Sequence, residues 1–176
     1  MFQHGWQVRV RVLTMATAGA LALLLPHAEA QVSVSDLLGF GREIAGVYVV
    51  SRAPEAGPSR LLTLSADGVL SSIQSTQFSG GVGGVGFSNQ QGVWRRTGEE
   101  TVNAQVLNID YDRDTGAFTG VGVATYQLTF LAERQRVQGT ATGKIYPVGV
   151  DPLHPGSALP IAEFSDSFEA ERVRVP

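Results

Sequence analysis

Few side chains in this 176-residue chain are suited to nucleophilic or metal chemistry. The chain has no cysteine, and two of its three histidines, His4 and His27, lie in an N-terminal segment that we expect to be removed. The third, His154, lies in a proline-rich stretch, where a solvated loop histidine is the simplest interpretation. The sequence therefore predicts no thiol mechanism, and no histidine-based triad unless His154 serves in one.

One pattern resembles a metal site. Asp110, Asp112 and Asp114 are spaced by two, as oxygen ligands are at the start of a calcium loop. The glycine of such a loop comes one residue late here, at Gly116, and the twelfth position is Val121 instead of a bidentate glutamate. We expect no specific metal site and no cofactor, and we interpret Asp110 as a turn residue.

The remaining candidates for an acid, a base or a polar anchor are Arg96, Asp110 and Tyr126, and the elements around them are predicted to be strands. Residues 91–146 form four long strand-like runs, in which β-branched and aromatic residues are frequent and no helical period is present. Turn chemistry predicts hairpin connections at 66–68, 97–100, 110–116 and 131–134. Successive hairpins without a crossover helix predict antiparallel pairing.

Further strands are predicted at 45–52, 60–65, 69–78 and 164–175, and we expect the last strand to pair with the first, which removes both open edges. The predicted fold class is all-β, an antiparallel up-and-down barrel of about eight strands over residues 45–176. A short helical lead-in is predicted within residues 31–44. It is expected to make one turn through Leu38 and to end at Gly39 and Gly41.

Residues 1–30 have the features of a secretory signal peptide. Arg9 and Arg11 precede an apolar run, and Ala28-Glu29-Ala30 is a small-residue cleavage site. Cleavage after Ala30 is expected, with no cysteine following it to carry a lipid anchor. The sequence predicts a secreted or periplasmic protein without a membrane anchor.

The mature chain would have about 146 residues, which fits one domain. Removing Arg9, Arg11 and Glu29 from 13 basic and 16 acidic residues leaves 11 and 15, a formal charge near −4. No basic cluster is present, which argues against nucleic acid as a partner.

A glycine-rich stretch at 79–88 contains a formal G-x-G-x-x-G at Gly81, Gly83 and Gly86. Dinucleotide binding would require a helix after this motif, but a strand-like run follows. We interpret the stretch as a flexible loop at a barrel mouth.

The sequence resembles the lipocalins and the wider calycin barrels in three features: a short helical lead-in, Gly46-Val47-Tyr48 opening the first strand, and an antiparallel eight-strand meander. In that family a tryptophan usually stands where Tyr48 does here. The resemblance implies that Arg172 or Arg174 of the last strand covers the Tyr48 ring. It also implies similarity to small secreted bacterial proteins of lipocalin-like type that lack a known activity.

Two neighbouring strands carry small residues on one face. The first face has Phe118, Gly120, Gly122, Ala124, Tyr126, Leu128 and Phe130, and the second has Val137, Gly139, Ala141, Gly143 and Ile145. If both faces point inward, a ligand or large residues from other strands must fill the middle of the barrel. The alternative is that the glycines only permit strand bending.

We predict a cavity beside Gly120, Gly122, Gly139 and Ala141, with Trp94 facing inward. The predicted ligand-binding residues are Tyr48, Trp94, Arg96, Gly120, Gly122 and Tyr126. The favoured function is non-catalytic binding of a small hydrophobic or aromatic molecule. One alternative is a cyclase or isomerase with a barrel like that of allene oxide cyclases or dirigent proteins. Another is a structural or interaction protein with a filled core. The oligomeric state is left open.

Overall fold

The computed structural model describes residues 34–50, 59–78, 85–131 and 133–176. The predicted signal peptide and residues 79–84 of the glycine-rich loop lie outside the described residues. Among those described, no helix has the length and apolar character needed to cross a membrane. The elements are α1 (Val34–Ile44), β1 (Gly46–Val50), β2 (Arg60–Leu64), β3 (Val69–Gln74), β4 (Gly86–Phe87), β5 (Gln90–Arg96), β6 (Thr101–Tyr111), β7 (Phe118–Leu131), β8 (Arg136–Pro147) and β9 (Ala162–Arg172).

Eight of these strands form a closed antiparallel barrel, as the sequence predicts. Each of β1, β2, β3, β5, β6, β7, β8 and β9 pairs with its neighbours in that order. The ring closes where β9 pairs with β1, through Tyr48 opposite Arg172 and Val49 opposite Glu171. The short β4, which the sequence did not indicate, pairs with the end of β6. Strand β9 ends at Arg172, three residues before the predicted end of the last strand.

Alternation of side chains fixes the inner face of each strand. In β8, buried and exposed residues alternate over ten positions, because successive side chains point to opposite sides of a strand. The buried set forms one hydrophobic core that includes Tyr48, Leu62, Val106, Tyr126 and Phe168. The interior is therefore lined by side chains from all eight strands.

Helix α1 is longer than predicted, since it runs through both Gly39 and Gly41 to Ile44. Tertiary packing outweighs the low helix propensity of glycine here. Phe40 and Ile44 are buried in the core at 3% and 0% exposure. A side chain at position 41 would overlap the Ala66 carbonyl in the β2–β3 turn, so glycine permits this close approach.

The barrel thus has two different ends. The helix end carries α1 and the turns at 65–68, 97–100 and 133–135. The loop end, at the opposite ends of the same strands, carries β4 and the described residues 75–78, 88–89, 112–117 and 148–161.

Candidate ligand-binding site

Three of the predicted ligand-binding residues, Tyr48, Trp94 and Arg96, lie at the helix end. Trp94 is buried, and its indole N–H donates to the Ser65 carbonyl at 3.0 Å, which confirms that it faces inward. Its ring meets Phe40 edge to face, with centroids 6.3 Å apart. The contact between α1 and the barrel therefore occupies the space around Trp94.

Arg96 lies at the rim of the helix end and does not point to a central cavity. Its guanidinium donates to the carbonyls of Gly98 and Glu99 at 2.8 and 2.9 Å. It also covers the Phe40 ring at 4.3 Å, and the Arg134 guanidinium lies 5.0 Å from the same ring. Arg96 therefore helps to close this end of the barrel.

Tyr48 is fully buried, and its hydroxyl donates to the Ile44 carbonyl at 2.8 Å. Arg172 stands opposite Tyr48 in the pairing of β9 with β1. Its guanidinium binds the carbonyls of Glu43 and Ala45, where α1 ends. Burial raises the pKa of the Tyr48 hydroxyl, with the Arg172 charge acting in the opposite direction.

Neighbouring atoms occupy the space that a side chain would take at three of the glycines beside which a cavity is predicted. The Phe168 ring fills the position above Gly139. The Asn108 side chain lies over Gly122, where a Cβ would meet its Oδ1 at 2.6 Å. At Gly120 the neighbour is the Tyr146 carbonyl, so this glycine permits a close approach of two strands.

The loop-end half of the interior carries a cluster of polar side chains that the sequence interpretation missed. We call it the polar cluster, and it consists of Arg60, Ser72, Gln74, Gln90, Asn108, Asp110, Tyr126 and Asp166. Strand pairing brings these residues together: Arg60 stands opposite Gln74, and Ser72 opposite Gln90. Of the predicted site residues, Tyr126 belongs to the polar cluster, and Gly120 and Gly122 stand opposite its members Asp110 and Asn108.

Four of the eight residues of the polar cluster are joined by a chain of hydrogen bonds in which each side chain donates to the next. The Tyr126 hydroxyl donates to Gln90 Oε1 at 2.6 Å, and Gln90 Nε2 donates to Asn108 Oδ1 at 3.4 Å. Asn108 Nδ2 in turn donates to Asp110 Oδ1 at 2.7 Å. Burial raises the pKa of the Tyr126 hydroxyl, which keeps this first donor protonated. The chain ends at the Asp110 carboxyl group.

Asp110 is an interior residue, so its interpretation as a turn residue is wrong. It is 1% exposed, and its Oδ2 has no hydrogen-bond partner among the described residues. Burial raises the pKa of its carboxyl from 3.8 to about 6, and the Asn108 hydrogen bond opposes part of that rise. The turn is instead held by Asp112, whose Oδ1 accepts from the backbone N–H groups of Asp114 and Thr115.

Arg60 supplies the positive charge of the polar cluster. It is 4% exposed, and its Nη2 lies 3.2 Å from Asp166 Oδ2. The guanidinium carbon lies 5.4 Å from the Tyr126 ring centre and 4.9 Å from that of Phe168. Arg60 Nε and Nη1 have no acceptor among the described residues. Such buried donors are rare in proteins, because leaving them unpaired costs free energy.

The polar cluster therefore presents donors and an acceptor that lack partners, next to two aromatic rings. This arrangement can bind a small molecule through hydrogen bonds, and Asp110 can exchange a proton near neutral pH. The sequence feature that indicates the polar cluster is the alternation of side chains along each strand. Arg60 alternates with Leu62 and Leu64, and Asp110 alternates with Val106 and the other inward residues of β6.

No protein-family model matches this chain, and neither do any of the curated proteins or solved structures that were compared with it. The architecture is a closed eight-stranded antiparallel barrel, consistent with a barrel of calycin type.

Proposed function

We propose that this protein is a non-catalytic binding module, a lipocalin-like barrel that holds a small apolar or aromatic molecule at the loop-end half of its interior. One observation carries the proposal: Arg60 and Asp110 are almost completely buried, yet Arg60 Nε, Arg60 Nη1 and Asp110 Oδ2 have no partner among the described residues. A bound ligand that pairs with these atoms would remove the cost of burying them.

The surroundings of these atoms support a ligand that is mostly apolar. Tyr126 and Phe168 present their rings to Arg60, and their centroids are 6.2 Å apart in an edge-to-face arrangement. An apolar lining with a few well-placed polar groups is typical of small-molecule sites. The helix end is filled by Phe40 and its neighbours, which supports a ligand position in the other half of the barrel.

The test is a screen of small aromatic and aliphatic compounds against residues 31–176, by thermal shift and calorimetry. Trp94 lies at the helix end, so its fluorescence serves to report folding. We expect at least one compound to bind, and Arg60→Lys to weaken it by tenfold or more. Arg136→Lys is the matched control, because Arg136 is exposed on β8 and pairs with Glu169 at 2.8 Å. If Arg60→Lys and Arg136→Lys bind the compound with the same affinity, the proposal is contradicted.

A second candidate function is favoured by the position of Asp110 inside the barrel. A buried carboxyl with a pKa of about 6 is suited to proton transfer, as an isomerase or cyclase would require. In that case Asp110→Asn would abolish turnover of a bound compound while leaving its affinity within a few-fold. Unchanged conversion in this variant would exclude Asp110 as the acid or base.

We also propose that the protein is exported and that residues 1–30 are removed. Arg9, Arg11 and the Ala28-Glu29-Ala30 sequence support this. N-terminal sequencing of protein recovered outside the cytoplasm should begin at Gln31, and an intact Met1 there would refute it.

A further inference from the structure

The charges of the polar cluster restrict the ligand that it can hold. Arg60 is already paired with Asp166, so this pair has no net charge. The other carboxyl group of the polar cluster is that of Asp110, which adds a negative charge whenever it is deprotonated. An anionic ligand would therefore enter a buried site with no free positive charge, which is unfavourable in a low-dielectric interior.

The unpaired atoms of the polar cluster differ in their hydrogen-bonding roles. Arg60 Nε and Nη1 only donate, so they require an acceptor on the ligand. Asp110 Oδ1 already accepts from Asn108, which leaves Oδ2 to accept from a ligand donor. Tyr126 joins the two groups, because Arg60 lies over its ring and its hydroxyl begins the chain that ends at Asp110.

We propose that the ligand is an uncharged aromatic molecule with two polar groups: a carbonyl oxygen that accepts from Arg60, and an N–H or O–H group that donates to Asp110. The inference rests on the proposed binding function and specifies its ligand class. The carbonyl satisfies the guanidinium without adding charge, and the donor satisfies Asp110 Oδ2. The aromatic body lies against Tyr126 and Phe168.

The test uses 2-, 3- and 4-aminoacetophenone as probes, since the three isomers place a carbonyl and an amine at different separations. Acetophenone lacks the donor, and the matching aminobenzoates replace the neutral carbonyl with a carboxylate. Dissociation constants would be measured by NMR titration of residues 31–176 at pH 7.5. The best aminoacetophenone should bind at least about tenfold more tightly than acetophenone and than its aminobenzoate counterpart.

Two variants separate the two anchors. Arg60→Lys keeps a positive charge beside Asp166 but changes the donors, and it should weaken acetophenone and the best aminoacetophenone by a similar factor. Asp110→Asn replaces the free acceptor with an amide, so it should remove only the advantage of the amine. Asp114→Asn, in an exposed turn, is the matched control and should change neither constant.

The outcomes distinguish this inference from the proposed function. Tighter binding of the aminobenzoates would overturn the inference and leave the binding function standing, with Arg60 as a carboxylate receptor. Equal binding of acetophenone and the aminoacetophenones would overturn the role of Asp110. Binding by none of these probes would overturn the inference, and the wider screen would decide separately whether the binding function survives.

Discussion

Replacing Asp110 with asparagine should make the stability of the barrel less dependent on pH. In the folded protein, burial raises the pKa of this carboxyl from 3.8 to about 6. One pKa unit corresponds to about 1.36 kcal/mol, so a rise of roughly two units destabilises the folded state by ~3 kcal/mol once the group is ionised in both states. The folded state binds the proton more tightly, so stability is lost as the pH rises from about 4 to above 6.

The asparagine variant has no ionisable group at this position, and its Oδ1 can still accept from Asn108. At pH 4 the unfolded carboxyl is already about half ionised, so part of the effect is present there. Relative to the wild type, Asp110→Asn should therefore gain ~2.4 kcal/mol in free energy of unfolding between pH 4 and pH 7.5. Urea titrations of both proteins at five pH values would measure this difference, with Asp114→Asn as a control for an exposed aspartate. Other groups that titrate contribute equally to both proteins and cancel. Parallel pH profiles for the wild type and Asp110→Asn would refute the reasoning, because they would show that burial does not perturb this carboxyl.

Three further predictions concern packing and are tested by denaturant unfolding. Gly139→Ala should lower the free energy of unfolding by about 1–3 kcal/mol, because the new methyl group overlaps the Phe168 ring. Gly39→Ala should be neutral or stabilising, because its site in α1 is open. Equal effects of the two substitutions would contradict this packing. Phe40→Ala should lower the free energy of unfolding by about 3–5 kcal/mol and shift the tryptophan emission to the red. The Phe40 ring is 3% exposed and lies between two arginines and two aromatic rings. A loss below about 1 kcal/mol would mean that α1 does not close the barrel. Tyr126→Phe should lower the free energy of unfolding by about 1 kcal/mol, because the 2.6 Å hydrogen bond to Gln90 is lost while Gln90 Oε1 keeps Gln74 as a donor. An unchanged stability would indicate that water replaces the hydroxyl.

The strand order and the closure of the barrel could be predicted from the sequence, because hairpin turns and β-branched residues are local signals. The register of β7 on β8, for example, follows from a single hairpin and places Tyr126 opposite Ala141. The last strand was expected to pair with the first from the requirement that edges be covered, and this is confirmed.

The polar cluster could not be predicted in the same way, since its residues are separated by as many as 106 positions. Asp110 has the composition of a turn residue, and its alternation with Val106 indicates an inward position only because β6 continues to Tyr111 in register with β7. Arg60 begins a strand, where a charged side chain is usually solvated, and its burial depends on Asp166 of β9. The small faces of β7 and β8 point inward, but the Asn108 and Phe168 side chains that lie over Gly122 and Gly139 come from other strands.

The seam between β1 and β9 has a consequence for how the barrel assembles. Every other pairing in the ring joins strands that follow one another along the chain, with only the short β4 between β3 and β5. The seam joins Tyr48 to Arg172, 124 positions away. Only two residue pairs form its ladder, whereas β7 and β8 share twelve. Pairing over such a separation has a large entropic cost of loop closure, and it raises the contact order of the fold. The hairpins from β5 to β9 can form before the ring exists, so closure of the seam is expected to be the late step of folding. For the same reason, amide hydrogens of β1 should exchange with solvent before those of β7 and β8.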